Sequence, residues 1–349
     1  DLSRGDRKKL TLPQDFLIGI RRILSPRLPS LLVLLDVLLS ACATRTPVLT
    51  PEHLGPPAPG HIQQTDTSLS AQARYQCGPA SLAMLLQQSG IEVSADELVP
   101  QVYLPARKGS LQAEMLATGR RYQRIPYRID PTVRALSAEL QAGRPVLVLQ
   151  NLGLQSRPLW HYAVVIGYSL EHDLIILRSG TQERQLMPGW LFLKTWNRAD
   201  NWAMVALKPG QLPARPDRLR YLAAVASAEG QTAPEAILQA YEAALDQWPA
   251  DAIARFGRAS TLHALGRLNE SRQAYQQLIA DNPAQVAALN NLAEVYMDLG
   301  CFLQAQATIS RAFTLVDNDH PLYSVLLDTR QRVASAAGRV SPRKCTGPP

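Results

Sequence analysis

One cysteine lies where a nucleophile could be activated, at the predicted start of a helix. The stretch 72–86 reads QARYQCGPASLAMLL. In it, Pro79 suits a first helical turn and three leucines recur at the spacing that buries one helix face. A thiol at the positive end of a helix dipole is favoured as thiolate, its nucleophilic form. The pattern indicates that Cys77 begins a buried helix. It leaves open a reactive nucleophile or a small packed residue.

One of the six histidines has a position suited to a general base. His161 begins the apolar segment 161–168, which is predicted as a buried strand, whereas the others fall in a Pro-rich segment, in predicted loops or on a later helix. An imidazole beside a thiol can take its proton and later protonate a leaving amine. A side-chain donor before the cysteine would complete an oxyanion hole, and Gln72 is the candidate. The alternative for His161 is a core histidine bonded to backbone groups.

The elements that would carry these residues run from helices to strands. Short helices are predicted after the Cys77 helix, one from residue 94 and one over 111–121, the latter capped by Ser110 and Glu114. Short, β-branched apolar runs follow and predict an antiparallel sheet. Helices first and strands afterwards indicate an α+β domain over residues 67–208. The predicted strands are 144–149, 161–168, 174–178 and 202–207.

Two motifs together resemble the bacteriocin-processing, double-glycine-leader cysteine peptidases, which are papain-like in fold. The motifs are Gln72 with YQCGPASLAM at 75–84, and HYAVVIGY at 161–168. The resemblance implies a nucleophile at Cys77, a general base at His161 and an oxyanion-hole donor at Gln72. Family members usually place this glutamine one residue earlier. They also carry an aspartate after the next strand, where this chain has Ser179, so Ser179 is the predicted orienting residue.

The C-terminal part of the chain repeats itself. After a Pro-rich linker at 209–216, the pair Leu265-Gly266 recurs as Leu299-Gly300, and Pro249 recurs as Pro283, each 34 residues on. This period predicts tetratricopeptide repeats over 217–320, at 218–251, 252–285 and 286–319. Such a solenoid leaves a groove that receives a peptide or a partner protein. Residues 321–349 are predicted as a C-terminal helix and a disordered tail.

The N-terminal segment has the pattern of a targeting signal. Basic residues precede the apolar run 31–39, as in a secretory signal. The following Leu39-Ser40-Ala41-Cys42 resembles a bacterial lipobox, which implies acylation of Cys42 at the end of a signal segment over 1–42. The resemblance further implies an outer-membrane lipoprotein facing the periplasm. Residues 43–66 are rich in proline and are predicted to be an extended tether.

Composition excludes several other classes. The formal net charge is +7 over 349 residues, and no dense run of Lys and Arg is interleaved with aromatic residues, so nucleic-acid binding is not expected. The four cysteines form no CxxC pair, and the histidines show no ligand spacing. Neither a metal nor another cofactor is predicted.

Three functions fit these observations. The first is a lipid-anchored cysteine peptidase that cuts peptides through an acyl-enzyme on Cys77, while the repeats recruit a substrate or an envelope partner. The second is a peptidase-like adaptor of low or no activity that binds proteins through its repeats. The third is acyl transfer on the same thiol.

Overall fold

A computed structural model describes residues 48–55, 59–65 and 76–337, which belong to one compact unit that begins at Val48. The predictions for the signal segment with Cys42, for Gln72 and for the tail from residue 338 lie outside the described residues.

Helices surround the sheet in the first half of this unit. The helix that begins at Cys77 forms as predicted, and the next is fixed by a capping box between Ser94 and Glu97. The predicted cap at Ser110 is wrong, because Ser110 lies in a short strand and the following helix has Leu111 at its N-cap without a side-chain bond. The helices are α1 (Pro51–Leu54), α2 (Cys77–Gln88), α3 (Ala95–Val102), α4 (Gln112–Arg121), α5 (Val133–Gln141) and α6 (Gly189–Asn197).

The main sheet is antiparallel, and its strands follow the order β4-β9-β5-β6-β7-β8, with β1 paired to the end of β6. The four predicted strands are confirmed as β5, β6, β7 and β9. The polar β8 and the Pro-containing β4 lie at the two edges and lack a continuous apolar run, which explains why the pattern did not predict them. The strands are β1 (His61–Gln63), β2 (Tyr103–Leu104), β3 (Gly109–Ser110), β4 (Ile125–Arg128), β5 (Val146–Asn151), β6 (Trp160–Ser169), β7 (Leu174–Ser179), β8 (Gln182–Pro188) and β9 (Ala203–Leu207); β2 and β3 form a separate hairpin.

The sheet is buried on both faces. Along β5, Leu147 and Leu149 pack with Leu82 and Leu86 of α2, whereas Val146 and Val148 pack in a second cluster on the opposite face. Successive side chains of a strand point to opposite faces, so a strand covered on both sides needs an uninterrupted apolar run. This explains the continuous hydrophobic segments of the sequence.

The described part of the predicted tether is packed against the domain and is not an extended spacer. Leu49 and Leu54 are 2% exposed and belong to the core. Asp173 holds the segment, because its carboxylate accepts the backbone N–H of Leu49 at 2.9 Å. The Pro-rich composition suggested a tether, but Leu49 and Leu54 bury enough apolar surface to order this segment.

Three helix–turn–helix pairs follow, and a final helix covers the last pair. Gly266 and Gly300 end the first helix of the second and third pairs with φ of 70° and 75°, a left-handed conformation that glycine adopts without strain. None of the described helices is long and apolar enough to cross a membrane. The helices are α7 (Arg218–Ala226), α8 (Pro234–Gln247), α9 (Ala252–Ala264), α10 (Leu268–Asp281), α11 (Val286–Asp298), α12 (Phe302–Phe313) and α13 (Tyr323–Ala337).

The repeats share a core with the sheet. Tyr221 of α7 is fully buried, and its ring centroid lies 6.5 Å from that of Tyr127 on β4. Arg220 forms an ion pair with Asp130 beside this contact. The connecting segment, predicted to be a linker, is ordered here, and its Ala214 N–H donates to the Glu139 carboxylate at 2.8 Å. One hydrophobic cluster therefore continues from the sheet into the first repeats.

Because of this shared core, we expect the chain from residue 48 onward to unfold in one thermal transition. Tyr221→Ala should lower the free energy of unfolding by about 3–5 kcal/mol, since it leaves a large cavity between the sheet and α7. Leu219→Ala on the same helix is the control, because Leu219 is 58% exposed. Differential scanning calorimetry makes the measurement. Two separate transitions in the unsubstituted protein would contradict the expectation.

Candidate active site

The start of α2 is fixed against the β2–β3 hairpin. A Cβ atom on residue 78 would overlap the hydroxyl of Ser110, so only glycine allows this approach directly after Cys77. The Ser110 hydroxyl is itself buried without a hydrogen-bond partner. The helix has no side-chain cap at Gln76, which leaves its first N–H groups beside the thiol.

Cys77 is a free, half-buried cysteine. Burial raises the pKa of its thiol above the ordinary value, and the backbone N–H groups of Tyr162, Gly78 and Cys77 itself lower it by less. This direction is opposite to that expected from the helix start, because burial in a low-dielectric environment disfavours the charged thiolate. The thiol is in its neutral form at neutral pH.

His161 lies at the beginning of β6, opposite Gln150 of β5. Its Nε2 is 2.7 Å from the hydroxyl oxygen of Ser179, at the end of β7. Burial lowers the pKa of the His161 imidazole below its ordinary value of 6.5. The structure thus brings together the predicted general base and the predicted orienting residue. Asp173, just before the other end of β7, binds the N-terminal segment and not the imidazole.

The thiol lies beside the backbone that follows the histidine, because the N–H of Tyr162 donates to the Cys77 sulfur. Strand β7 pairs with β6 only from Val164 onward, which leaves the backbone at Tyr162 accessible to the start of α2. Among the described residues, no hydrogen bond joins the thiol to the imidazole. With Nε2 engaged by Ser179, Nδ1 is the ring nitrogen that can take the thiol proton. Such contacts tighten in many enzymes only when substrate binds.

Sequence reasoning missed two residues that connect the site. The hydroxyl of Tyr162 donates to the carbonyl oxygen of Ser110 at 3.3 Å, and its ring packs edge-to-face on Trp202 at 5.9 Å. This links the strand of His161 to the hairpin that packs on Gly78. Tyr162 had the pattern of an ordinary core residue, and Ser110 that of a helix cap. The contact between them depends on tertiary packing.

A cavity of about 520 Å³ opens beside Cys77, between the β2–β3 hairpin and the loop 152–159. Within the described ranges, no group of three or more His, Cys, Asp or Glu side chains could hold a metal ion. The thiol lines this cavity, and the imidazole–hydroxyl pair of His161 and Ser179 lies at the neighbouring end of β6 and β7. A thiol, an imidazole and backbone donors are the groups that nucleophilic acyl chemistry uses.

Comparison with known proteins agrees with this architecture. Residues 60–204 match the model described as the Peptidase_C39 like family, and residues 259–300 match that of a TPR repeat. The chain thus carries an N-terminal α+β C39-like peptidase domain with an antiparallel sheet, followed by helical tetratricopeptide repeats. A search of curated proteins finds no match.

Matches among solved structures cover the two parts separately. A putative C39-like peptidase from Bacillus anthracis has 16% identity and a TM-score of 0.36, covering 42% of this chain and 98% of its own. A TPR protein of Thermus thermophilus has 24% identity and a TM-score of 0.32, covering 35% and 66%. The type III secretion chaperone SycD of Yersinia enterocolitica, bound to a YopD peptide, has 12% identity and a TM-score of 0.32, covering 34% and 90%.

The depressed pKa of His161 predicts a pH-dependent stability. The unfolded chain binds a proton on this imidazole as the pH falls below about 6.5, whereas the folded chain binds it only at lower pH. The stabilisation is therefore present above pH 6.5 and is lost as the pH falls through the folded-state pKa. His161→Gln should flatten this part of the curve of unfolding free energy against pH. A slope equal to that of the unsubstituted protein would contradict the assignment.

Proposed function

We propose that this protein is a cysteine peptidase that hydrolyses peptide bonds through an acyl-enzyme on Cys77. The observation that carries the proposal is an oriented imidazole on the residue directly before the backbone N–H that bonds the thiol. His161 is bonded to Ser179 at 2.7 Å, and the Cys77 sulfur accepts the N–H of the very next residue, Tyr162. The match of residues 60–204 to a peptidase-like family supports the same chemistry.

In the proposed reaction, Nδ1 of His161 takes the thiol proton as the sulfur attacks the substrate carbonyl carbon. Backbone N–H groups at the start of α2, with Gln72 as the proposed side-chain donor, stabilise the oxyanion. The C–N bond breaks, and the imidazolium protonates the leaving amine. Water then loses a proton to His161 and attacks the thioester, which releases the acid and returns the proton to the thiol. Ser179 holds the ring with Nε2–H donating to its hydroxyl.

A neutral resting pair is compatible with this scheme. Burial raises the pKa of Cys77 and lowers that of His161, and both effects favour uncharged groups. The proton then moves during attack and not before it. The same burial is the observation that favours the second candidate, a binding protein with a weakly active domain. Acyl transfer differs from hydrolysis only in the acceptor, so product analysis with an added amine separates the two.

The second part of the proposal concerns the repeats, which we assign to recruitment of a substrate or partner protein. A cavity of about 670 Å³ lies among α10, α11 and α12. Its floor is apolar, with Leu289 and Leu292, and Arg311 lies at its rim. An apolar floor with polar groups from Gln276, Gln277 and Thr308 around it suits a segment of a bound peptide.

The third part is a location in the cell envelope, with a lipid anchor on Cys42. Support comes from the lipobox-like sequence at 39–42. Cys301 is disulfide-bonded, and disulfides persist mainly in oxidising compartments such as the periplasm. Cys77 remains free, as a nucleophile must.

The catalytic proposal predicts a graded set of losses. Cys77→Ala should reduce kcat by about 10³-fold or more on any peptide that is cleaved, and His161→Ala should do nearly the same. Ser179→Ala should lower kcat about tenfold, since the ring loses its orienting partner. Ser179→Asp should move the acidic limb of the kcat/KM profile to higher pH, because a carboxylate raises the imidazole pKa. Full activity in Cys77→Ala would refute the mechanism, whereas peptide binding without cleavage by the unsubstituted protein would favour the adaptor.

The anchor predicts lipid labelling. When the full chain is expressed in a Gram-negative bacterium with radiolabelled palmitate, the protein should take up label and sediment with membranes. Cys42→Ala should abolish both, whereas Cys345→Ala should leave both unchanged. Equal labelling of the two variants would rule out acylation at Cys42.

A further inference from the structure

Large apolar side chains are exposed together at the cavity beside Cys77. Leu159 is 60% exposed, Trp160 52% and Leu111 39%, and all three line this opening of about 520 Å³. Scattered exposed apolar residues are ordinary on a protein surface, but a contiguous group around a concave opening marks a binding site. The cavity volume lies within the range of ligand-binding pockets and is sufficient for a large side chain.

The apolar wall is held in place by polar contacts. The Asn151 side-chain oxygen accepts the N–H of Gly153 at 3.0 Å and that of Leu159 at 2.9 Å. Arg198 donates to the carbonyl oxygen of Gly153 at 2.6 Å. The loop backbone is therefore fixed while Leu159 and Trp160 stay in solvent. A rigid wall of this kind binds a ligand without a large ordering cost.

The opposite wall carries positive charge. Arg107 and Lys108 line the cavity and are exposed, and neither forms an ion pair with an acid of the described ranges. Lys108 has φ of 49°, a left-handed conformation at the turn of the β2–β3 hairpin. One acidic residue, Asp200, also lines the cavity. The hairpin side is thus complementary to a carboxylate.

We propose that this cavity is the specificity pocket of the enzyme and that it takes a bulky apolar side chain of the peptide substrate. An acidic substrate residue beside it contacts Arg107 and Lys108. The inference rests on the proposed peptidase function and names its substrate class. It departs from the glycine preference that the double-glycine resemblance implies, because glycine would leave Leu159 and Trp160 in water.

The test is a set of fluorogenic peptides that vary one position at a time among Gly, Leu, Phe, Glu and Lys. At one position near the cut bond, Leu or Phe should exceed Gly in kcat/KM by about 10–100-fold. At a neighbouring position, Glu should exceed Lys. Leu159→Asp should abolish the apolar preference and Lys108→Glu should reverse the charge preference. Leu219→Asp and Lys194→Glu, at exposed residues that do not line the cavity, should leave both preferences unchanged.

A binding measurement separates this inference from the proposed function. Cys77→Ala is titrated with the same peptides, and affinity is read from fluorescence anisotropy. Binding with the stated preference but no cleavage by the unsubstituted protein would support the pocket and refute hydrolysis. Cleavage with equal rates for Gly and Leu at every position would refute the pocket and leave hydrolysis intact. Absence of both binding and cleavage would refute both.

Discussion

The antiparallel pairing of β6 is the constraint on which the candidate site depends. The strand pairs with β5 from its first residue but with β7 only from Val164 onward. His161 and Tyr162 therefore lie at an end of β6 that is paired with β5 on one side and not with β7 on the other. There His161 meets Ser179, while the backbone N–H of Tyr162 is available to the Cys77 sulfur. If β7 paired along the whole strand, the thiol could not take this position.

The burial that positions these groups also decides their charge. Helix α2 and the helices on the opposite face exclude water from the sheet, and both the thiol and the imidazole are favoured as neutral groups. In the proposed reaction, charges would arise only during attack, on the imidazolium and on the oxyanion that forms beside the N–H groups of the helix start. The neutral hydroxyl of Ser179 is consistent with a site that holds no permanent ion pair.

Much of this arrangement follows from local sequence patterns. Continuous apolar runs predicted the central strands, and Pro79 with its leucines predicted the Cys77 helix, because short-range periodicity reports burial directly. The sequence did not predict edge strands such as β8, since half of their surface is in solvent and their apolar pattern is weak. The sequence also did not predict the contact of Ser110 with Gly78 or the raised pKa of the Cys77 thiol. Both depend on segments distant in sequence, whose packing no local pattern encodes.

The shared core of the sheet and the repeats makes the two parts geometrically inseparable. Tyr127 and Tyr221 lock the first repeat helix onto the edge of the sheet, and Glu139 holds the connecting segment. The repeats therefore hold a fixed orientation relative to the sheet. A peptide bound by the repeats could reach the cavity beside Cys77 only if the segment between its two binding points had the right length. For the hydrolysis and recruitment proposed above, this fixed geometry would select the cleaved bond by its distance from the bound segment as well as by its side chains.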